Sequence, residues 1–163
     1  MNEARPAPPA RLAAAFGAIH ATRMRGLPFV NERLAVEAVG FREWNGRWLG
    51  VLITPWFMSL VLLPADAPGA RWQSLGCGAS AAYEFPAGVF EFIGGRDDAI
   101  GEFQSCSLFS PMFGFADQAS ARLAAEAALA ALFDAPARAL DAASVSKRDF
   151  LRGRRRASSP GTA

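Results

Sequence analysis

The chain is 163 residues long, 52% apolar and 20% charged, with a net charge of +2. That length suits one domain with a single proper core. The basic excess sits at one end: residues 146–156 hold six basic side chains and one acid, while residues 1–145 hold eleven arginines, no lysine and fourteen acids. A body that binds nucleic acid would present a basic face, so this balance excludes that class for the body. The longest apolar run, residues 56–63, is too short to span a bilayer, and no stable membrane insertion is expected. Cys77 and Cys106 follow an N-terminus without a signal-peptide pattern, which points to the cytoplasm and reduced thiols.

Residues 1–8 are rich in Pro and Ala and are expected to lack regular structure. The spacing of Leu12, Phe16, Ile19 and Arg23 predicts a helix over 11–24, with Pro8 and Pro9 at its start and Gly26 at its end. Alternating and continuous apolar runs predict strands at 34–41, 48–53 and 56–63, the last buried on both faces. Asn45-Gly46, flanked by Trp44 and Trp48, is a tight-turn signal between the first two. Shorter strands are expected at 71–75, 80–85, 88–93 and 102–109. Asp97-Asp98, after Gly94-Gly95-Arg96, is assigned to a turn. Asp117 is a suitable N-cap for a helix over 118–133, and Pro136 starts a short helix to residue 143. The order helix, antiparallel strands, helices gives an α+β fold, a single domain over 9–144 with an antiparallel β-sheet packed by an N-terminal helix and C-terminal helices. Residues 145–163 form a basic tail.

Catalytic equipment is sparse. The one histidine, His20, has no triad partner nearby in sequence. Cys77 and Cys106 lack metal-ligand spacing, so no metal or other cofactor is expected. Lys147 is the only lysine, and no phosphate-binding glycine loop accompanies it. Binding is therefore favoured over catalysis. The suitable features are Pro55-Trp56-Phe57-Met58 and Phe109-Ser110-Pro111-Met112-Phe113, where flexible Met stands beside rigid aromatics. As candidate partner-binding residues they are Pro55, Trp56, Phe57, Met58, Phe109, Pro111, Met112 and Phe113; the competing assignment is core packing. Glu84, Glu91, Asp97, Asp98 and Glu102 could receive guanidinium groups.

Near the C-terminus, Ser146-Lys147-Arg148-Asp149-Phe150-Leu151-Arg152 is close to the twin-arginine export consensus Ser-Arg-Arg-x-Phe-Leu-Lys, departing at Lys147 and Arg152. It stands at the wrong end for an export signal, and the bland alternative is a solvated basic tail.

Four segments, in this order, resemble the nickel–iron hydrogenase assembly chaperones of the HybE/HupJ type. They are residues 23–31 (Arg-Met-Arg-Gly-Leu-Pro-Phe-Val-Asn), 50–58 (Gly-Val-Leu-Ile-Thr-Pro-Trp-Phe-Met), 85–92 with Phe85-Pro86-Ala87-Gly88 and Phe90-Glu91-Phe92, and 106–112 (Cys-Ser-Leu-Phe-Ser-Pro-Met). The resemblance implies a cytoplasmic chaperone without catalysis or a cofactor of its own. Its client is the precursor small subunit of a membrane-bound uptake hydrogenase, which carries a twin-arginine signal and is held from export until maturation. The large subunit and other maturation factors are further candidate partners. Given such a client, Lys147, Arg148, Phe150 and Leu151 become a candidate tail pseudo-ligand for the chaperone's own groove. The alternative is a thiol-dependent redox or iron–sulfur-protecting factor using Cys77 or Cys106.

Overall fold

A computed structural model of the chain describes residues 5–66 and 70–134. The short helix expected at 136–143 and the basic motif at 146–152 lie outside the described residues. Helix α1 spans Pro8–Ile19 and runs into a π-helical turn at His20–Met24. Six strands follow: β1 Glu37–Trp44, β2 Arg47–Ile53, β3 Met58–Pro64, β4 Ser80–Phe85, β5 Gly88–Asp97 and β6 Gly101–Phe109. Helix α2, Gln118–Phe133, ends the described domain.

All pairings are antiparallel, in the order β1-β2-β3-β6-β5-β4. Two three-stranded meanders thus meet at β3 and β6. These central strands explain the apolar runs: β2 from Leu49 and β3 through Leu63 are buried on both faces. The sheet is curled, so its two edges approach on the inner side, where Trp44 of β1 stacks on Phe85 of β4 at 4.5 Å between ring centroids. Inside the curl lies the larger core, including Leu60, Phe90, Phe92 and Met112. Helix α2 closes it. Its buried stripe is Ala121, Ala125, Ala128, Leu129 and Leu132, and the small alanines let the helix axis approach the sheet closely. Tyr83 donates to Gln104 Oε1 at 2.5 Å and Gln104 Nε2 donates to Gln73 O at 2.8 Å, so this buried amide is satisfied. Helix α1 covers the outer face with Leu12 and Phe16 against Leu52, Val61, Leu63 and Phe103.

Several boundaries differ from the sequence expectation for identifiable reasons. The α1 helix begins at Pro8, within the stretch expected to be irregular, because proline fits the first helical turn. The first strand begins at Glu37 rather than 34, since Leu34 N and Ala35 N are taken by Asn31 O and Gln118 Oε1. The third begins at Met58 because Thr54–Phe57 is a closed turn. Residues 71–75 form no strand: Arg71 N is held by Gly46 O, Trp72 packs on the core, and Ser74 bonds Glu102. The β5 strand continues through Gly94 and Gly95 to Asp97. There a Cβ at Gly94 would stand 2.8 Å from Leu75 Cβ, and one at Gly95 would stand 2.7 Å from the Phe103 ring. The turn is therefore confined to 98–100.

At Asn45 and Gly46, φ values of 48° and 78° give the expected tight β1–β2 turn. Gly40 also has positive φ, 64°, and a Cβ there would lie 2.6 Å from Leu129 Cδ2. Gly40→Ala combines backbone strain with a clash beneath α2 and is expected to cost roughly 1–2 kcal/mol in urea unfolding.

Candidate functional site

Three of the four signature segments meet at one end of the sheet, and Asn31 joins them. Its backbone N–H donates to Pro55 O at 2.8 Å, and its Nδ2 donates to Met112 O at 3.0 Å and Phe115 O at 2.9 Å. Its Oδ1 accepts from Arg33 N at 3.2 Å. The side chain is buried and its donors satisfy carbonyls of a distant loop, so the segments are fixed relative to one another. Thr54, also buried, closes the β2–β3 turn: Oγ1 accepts from Trp56 N at 3.2 Å and Phe57 N at 2.9 Å, and donates to Phe57 O at 3.0 Å.

The π-helical turn brings His20 to the same place. Its Nε2 lies 3.0 Å from Glu32 Oε2, and its ring is 6.0 Å from that of Trp56. Gly26 N–H donates to Glu32 Oε1 at 3.0 Å. That backbone bond first, then the bond and charge of His20, hold the Glu32 carboxyl below its ordinary value. Glu32 thereby ties the loop at Gly26 to the helix end.

The loops of this framework carry three of the six exposed large apolar side chains among the described residues. Leu27, Phe29 and Phe113 are 37%, 48% and 56% exposed. An open depression of about 630 Å³ runs between residues 30–33 and 113–116. Rigid loops carrying unburied aromatics have the makings of a protein-binding surface.

The sequence-derived candidates divide on this frame. Trp56 and Phe57 are half-buried, Phe57 packing edge-on against Phe16 at 5.7 Å. Phe109 is half-buried against Phe115 at 5.1 Å, and Pro111 and Phe113 are exposed. Pro55, Met58 and Met112 are corrections: all three are buried, with Met58 and Met112 at 0% exposure in the inner core, so packing claims them and leaves no surface. Cys106 is likewise buried in that core, which removes it as an accessible thiol, whereas Cys77 is exposed. Sequence reasoning passed over Asn31, Thr54, His20, Leu27 and Phe29 as individual contributors. The signal available was their position inside the quoted signature segments or beside them.

The carboxylates separate too. Glu84 and Glu91 stand on the outer face of β4 and β5, and both are exposed. Asp97 ends β5 and accepts from Ala99 N at 2.8 Å, Asp98 opens the following turn, and Glu102 bonds Ser74. The remaining signature segment, residues 85–92, forms the turn of the β4–β5 hairpin and the start of β5, where Ala87 N donates to Leu132 O at 3.1 Å.

Behind the loops, Glu37 fixes the start of α2 to β1. It accepts from Arg122 Nε at 2.8 Å and Nη2 at 2.9 Å, and from Gln118 Nε2 at 2.9 Å. The Arg122 bond holds the Glu37 carboxyl below the ordinary 4.5. A carboxyl more acidic when folded contributes stability above its unfolded value, and loses it as pH falls through 4.5 and on through the lower folded value. Glu37→Gln is therefore expected to flatten the acid limb of a stability–pH profile below that pH. An unchanged limb would show that the ion pair is energetically silent.

With this geometry in view, the relatives are informative. The family model described as NiFe-hydrogenase assembly, chaperone, HybE matches residues 7–153. The hydrogenase expression/formation protein HupJ of Bradyrhizobium diazoefficiens is 46% identical over 150 residues, covering 87% of this chain and 85% of its own length. The protein HoxT of Cupriavidus necator is 45% identical over 154 residues, covering 87% and 86%. The solution structure of HybE from Escherichia coli superposes with a TM-score of 0.63 over 84% of this chain and 86% of that one, at 24% identity, and so shares the fold. The segments that Asn31 locks together thus lie in a chain matched over most of its length, which belongs to the HybE family of nickel–iron hydrogenase assembly chaperones.

Proposed function

We propose that this protein binds the precursor small subunit of a membrane-bound nickel–iron uptake hydrogenase in the cytoplasm. It engages the precursor together with its twin-arginine signal and delays export until maturation is complete. The observation that carries this reading is the Asn31-locked loop cluster, which ties the segments bearing Leu27, Phe29 and Phe113 to the turn bearing Trp56. Family membership supplies the process, and the apolar cluster supplies a means of holding an unfinished subunit without catalysis. Aromatic anchors on preorganised loops bind apolar segments at little ordering cost. Capture of the precursor by such a surface delays transport by mass action alone. The large subunit and other maturation factors are the natural successors at the same surface.

The thiol-dependent alternative loses ground because Cys106 is buried, which leaves only Cys77 exposed to reagents. The discriminating experiment is a pull-down of the precursor small subunit by the full-length protein, with and without the signal sequence. Capture that weakens when the signal is removed supports the reading. Equal failure of both forms overturns it.

A further inference from the structure

The outer face of β4 and β5 carries no helix among the described residues. Helix α1 reaches across that side as far as β6, through Phe16 and Phe103, and its cluster includes no side chain of β4 or β5. On the bare face stand Ser80, Ala82 and Glu84 of β4, paired with Ile93, Glu91 and Val89 of β5. Val89 is 61% exposed and Ile93 50%. Two aliphatic side chains and two carboxylates therefore share one hairpin surface, and neither strand places a basic residue there. A complementary ligand brings both cations and apolar side chains, since Val89, Glu91 and Ile93 alternate along β5 and Glu84 stands opposite Val89.

The chain ends its described course at the turn of this hairpin, on the inner side of the sheet, so a tail that reaches the outer face passes around the turn or the β4 edge. Leu132 O accepts from Ala87 N in the β4–β5 turn, and Phe133 packs edge-on against Phe85 at 6.0 Å between centroids. Twelve residues separate Asp134 from Lys147. Extended at ~3.3–3.6 Å per residue they span roughly 40 Å, about twice the length of a six-residue strand. Opposite charge awaits on each side: residues 146–156 carry six basic side chains and one acid, and the rest of the chain is net acidic.

We propose that residues 147–151 dock on this face of their own molecule, Lys147 and Arg148 against Glu84 and Glu91, Phe150 and Leu151 against Val89 and Ile93. Exposed ion pairs are individually weak. The tether compensates, because a short linker gives an effective concentration in the ~mM range. Docking covers apolar surface in the empty chaperone and yields to a client that brings the same chemistry. In this last respect the proposal rests on the precursor reading: a twin-arginine segment, two cations followed by Phe-Leu, takes the tail's place.

The test uses the full-length chain with Phe150 replaced by the photo-crosslinker benzoylphenylalanine, irradiated without client and mapped by mass spectrometry. Intramolecular cross-links within residues 80–93 are expected. Glu84→Lys with Glu91→Lys is expected to lower their yield roughly tenfold, and adding Lys147→Glu with Arg148→Glu to restore it, which separates charge complementarity from misfolding. Cross-links confined to other elements, cross-links only between chains in an isotopically mixed sample, or none above background at low salt would overturn the docking. A synthetic twin-arginine peptide is expected to reduce the wild-type yield; an unaffected yield overturns the shared site. A failed precursor pull-down with the tail cross-link intact removes the client reading and leaves the docking standing.

Discussion

Asn31→Asp is expected to destabilise the domain by about 3 kcal/mol, a large share of a marginal stability of roughly 5–15 kcal/mol. Asn31 is buried, and its amide donates to Met112 O and Phe115 O. A carboxylate has no proton for either carbonyl and sets like partial charges face to face. Two acceptors lose their partners and a charge is left inside without a counter-ion. Asn31→Ala removes the same two bonds without the charge, and about 2 kcal/mol is expected. Both are read from urea unfolding, followed by the fluorescence of the four tryptophans. A cost under about 1 kcal/mol for the aspartate variant would show that the loops at 110–116 hold together by packing alone. Because the same bonds position Phe113, loss of client capture should accompany loss of stability.

Phe29→Ser combined with Phe113→Ser is expected to act in the opposite pattern, weakening capture of the precursor about 30-fold or more with stability nearly unchanged. Both rings are about half exposed, so their removal opens little cavity in the folded state. Aromatic anchors of an interface each contribute on the order of 1–2 kcal/mol or more when truncated. Immobilised full-length chain and soluble precursor give the binding constant, and thermal unfolding gives the control. A double variant that binds normally would move the interface away from this loop cluster. One that unfolds early would make the two rings structural.

Much of the fold was legible because local chemistry and tertiary context agree. Asp117 caps α2, and Asn45-Gly46 turns β1 into β2, as their side chains and backbone preferences dictate. The continuous apolar run at 56–63 implied a strand buried on both faces, as β3 is. The curl of the sheet was not legible, since Trp44 on Phe85 is a contact between opposite edges. Nor was the limit at residues 71–75, where side chains and isolated backbone bonds replace a ladder.

The candidate site was legible as segments and illegible as residues. Residues 23–31, 50–58 and 106–112 were marked by resemblance, and three-dimensional proximity now gives that grouping a physical basis. Which members face outward depended on the fold. Met58 and Met112 have the same composition cues as a binding surface, yet lie in the inner core beneath it. Asn31 is marked only by its place at the end of residues 23–31, and its role is not legible there because its partners are Met112 and Phe115, more than 80 positions away in sequence.

We propose that the Asn31-locked loops are where an unfinished hydrogenase subunit is held. Amide hydrogen exchange of the full-length chain, with and without bound precursor small subunit, tests it most directly. Slowed exchange is expected at residues 25–33 and 112–116, with α2 unchanged on its solvent side. Protection confined to α2, with those loops exchanging as in the free protein, would contradict it.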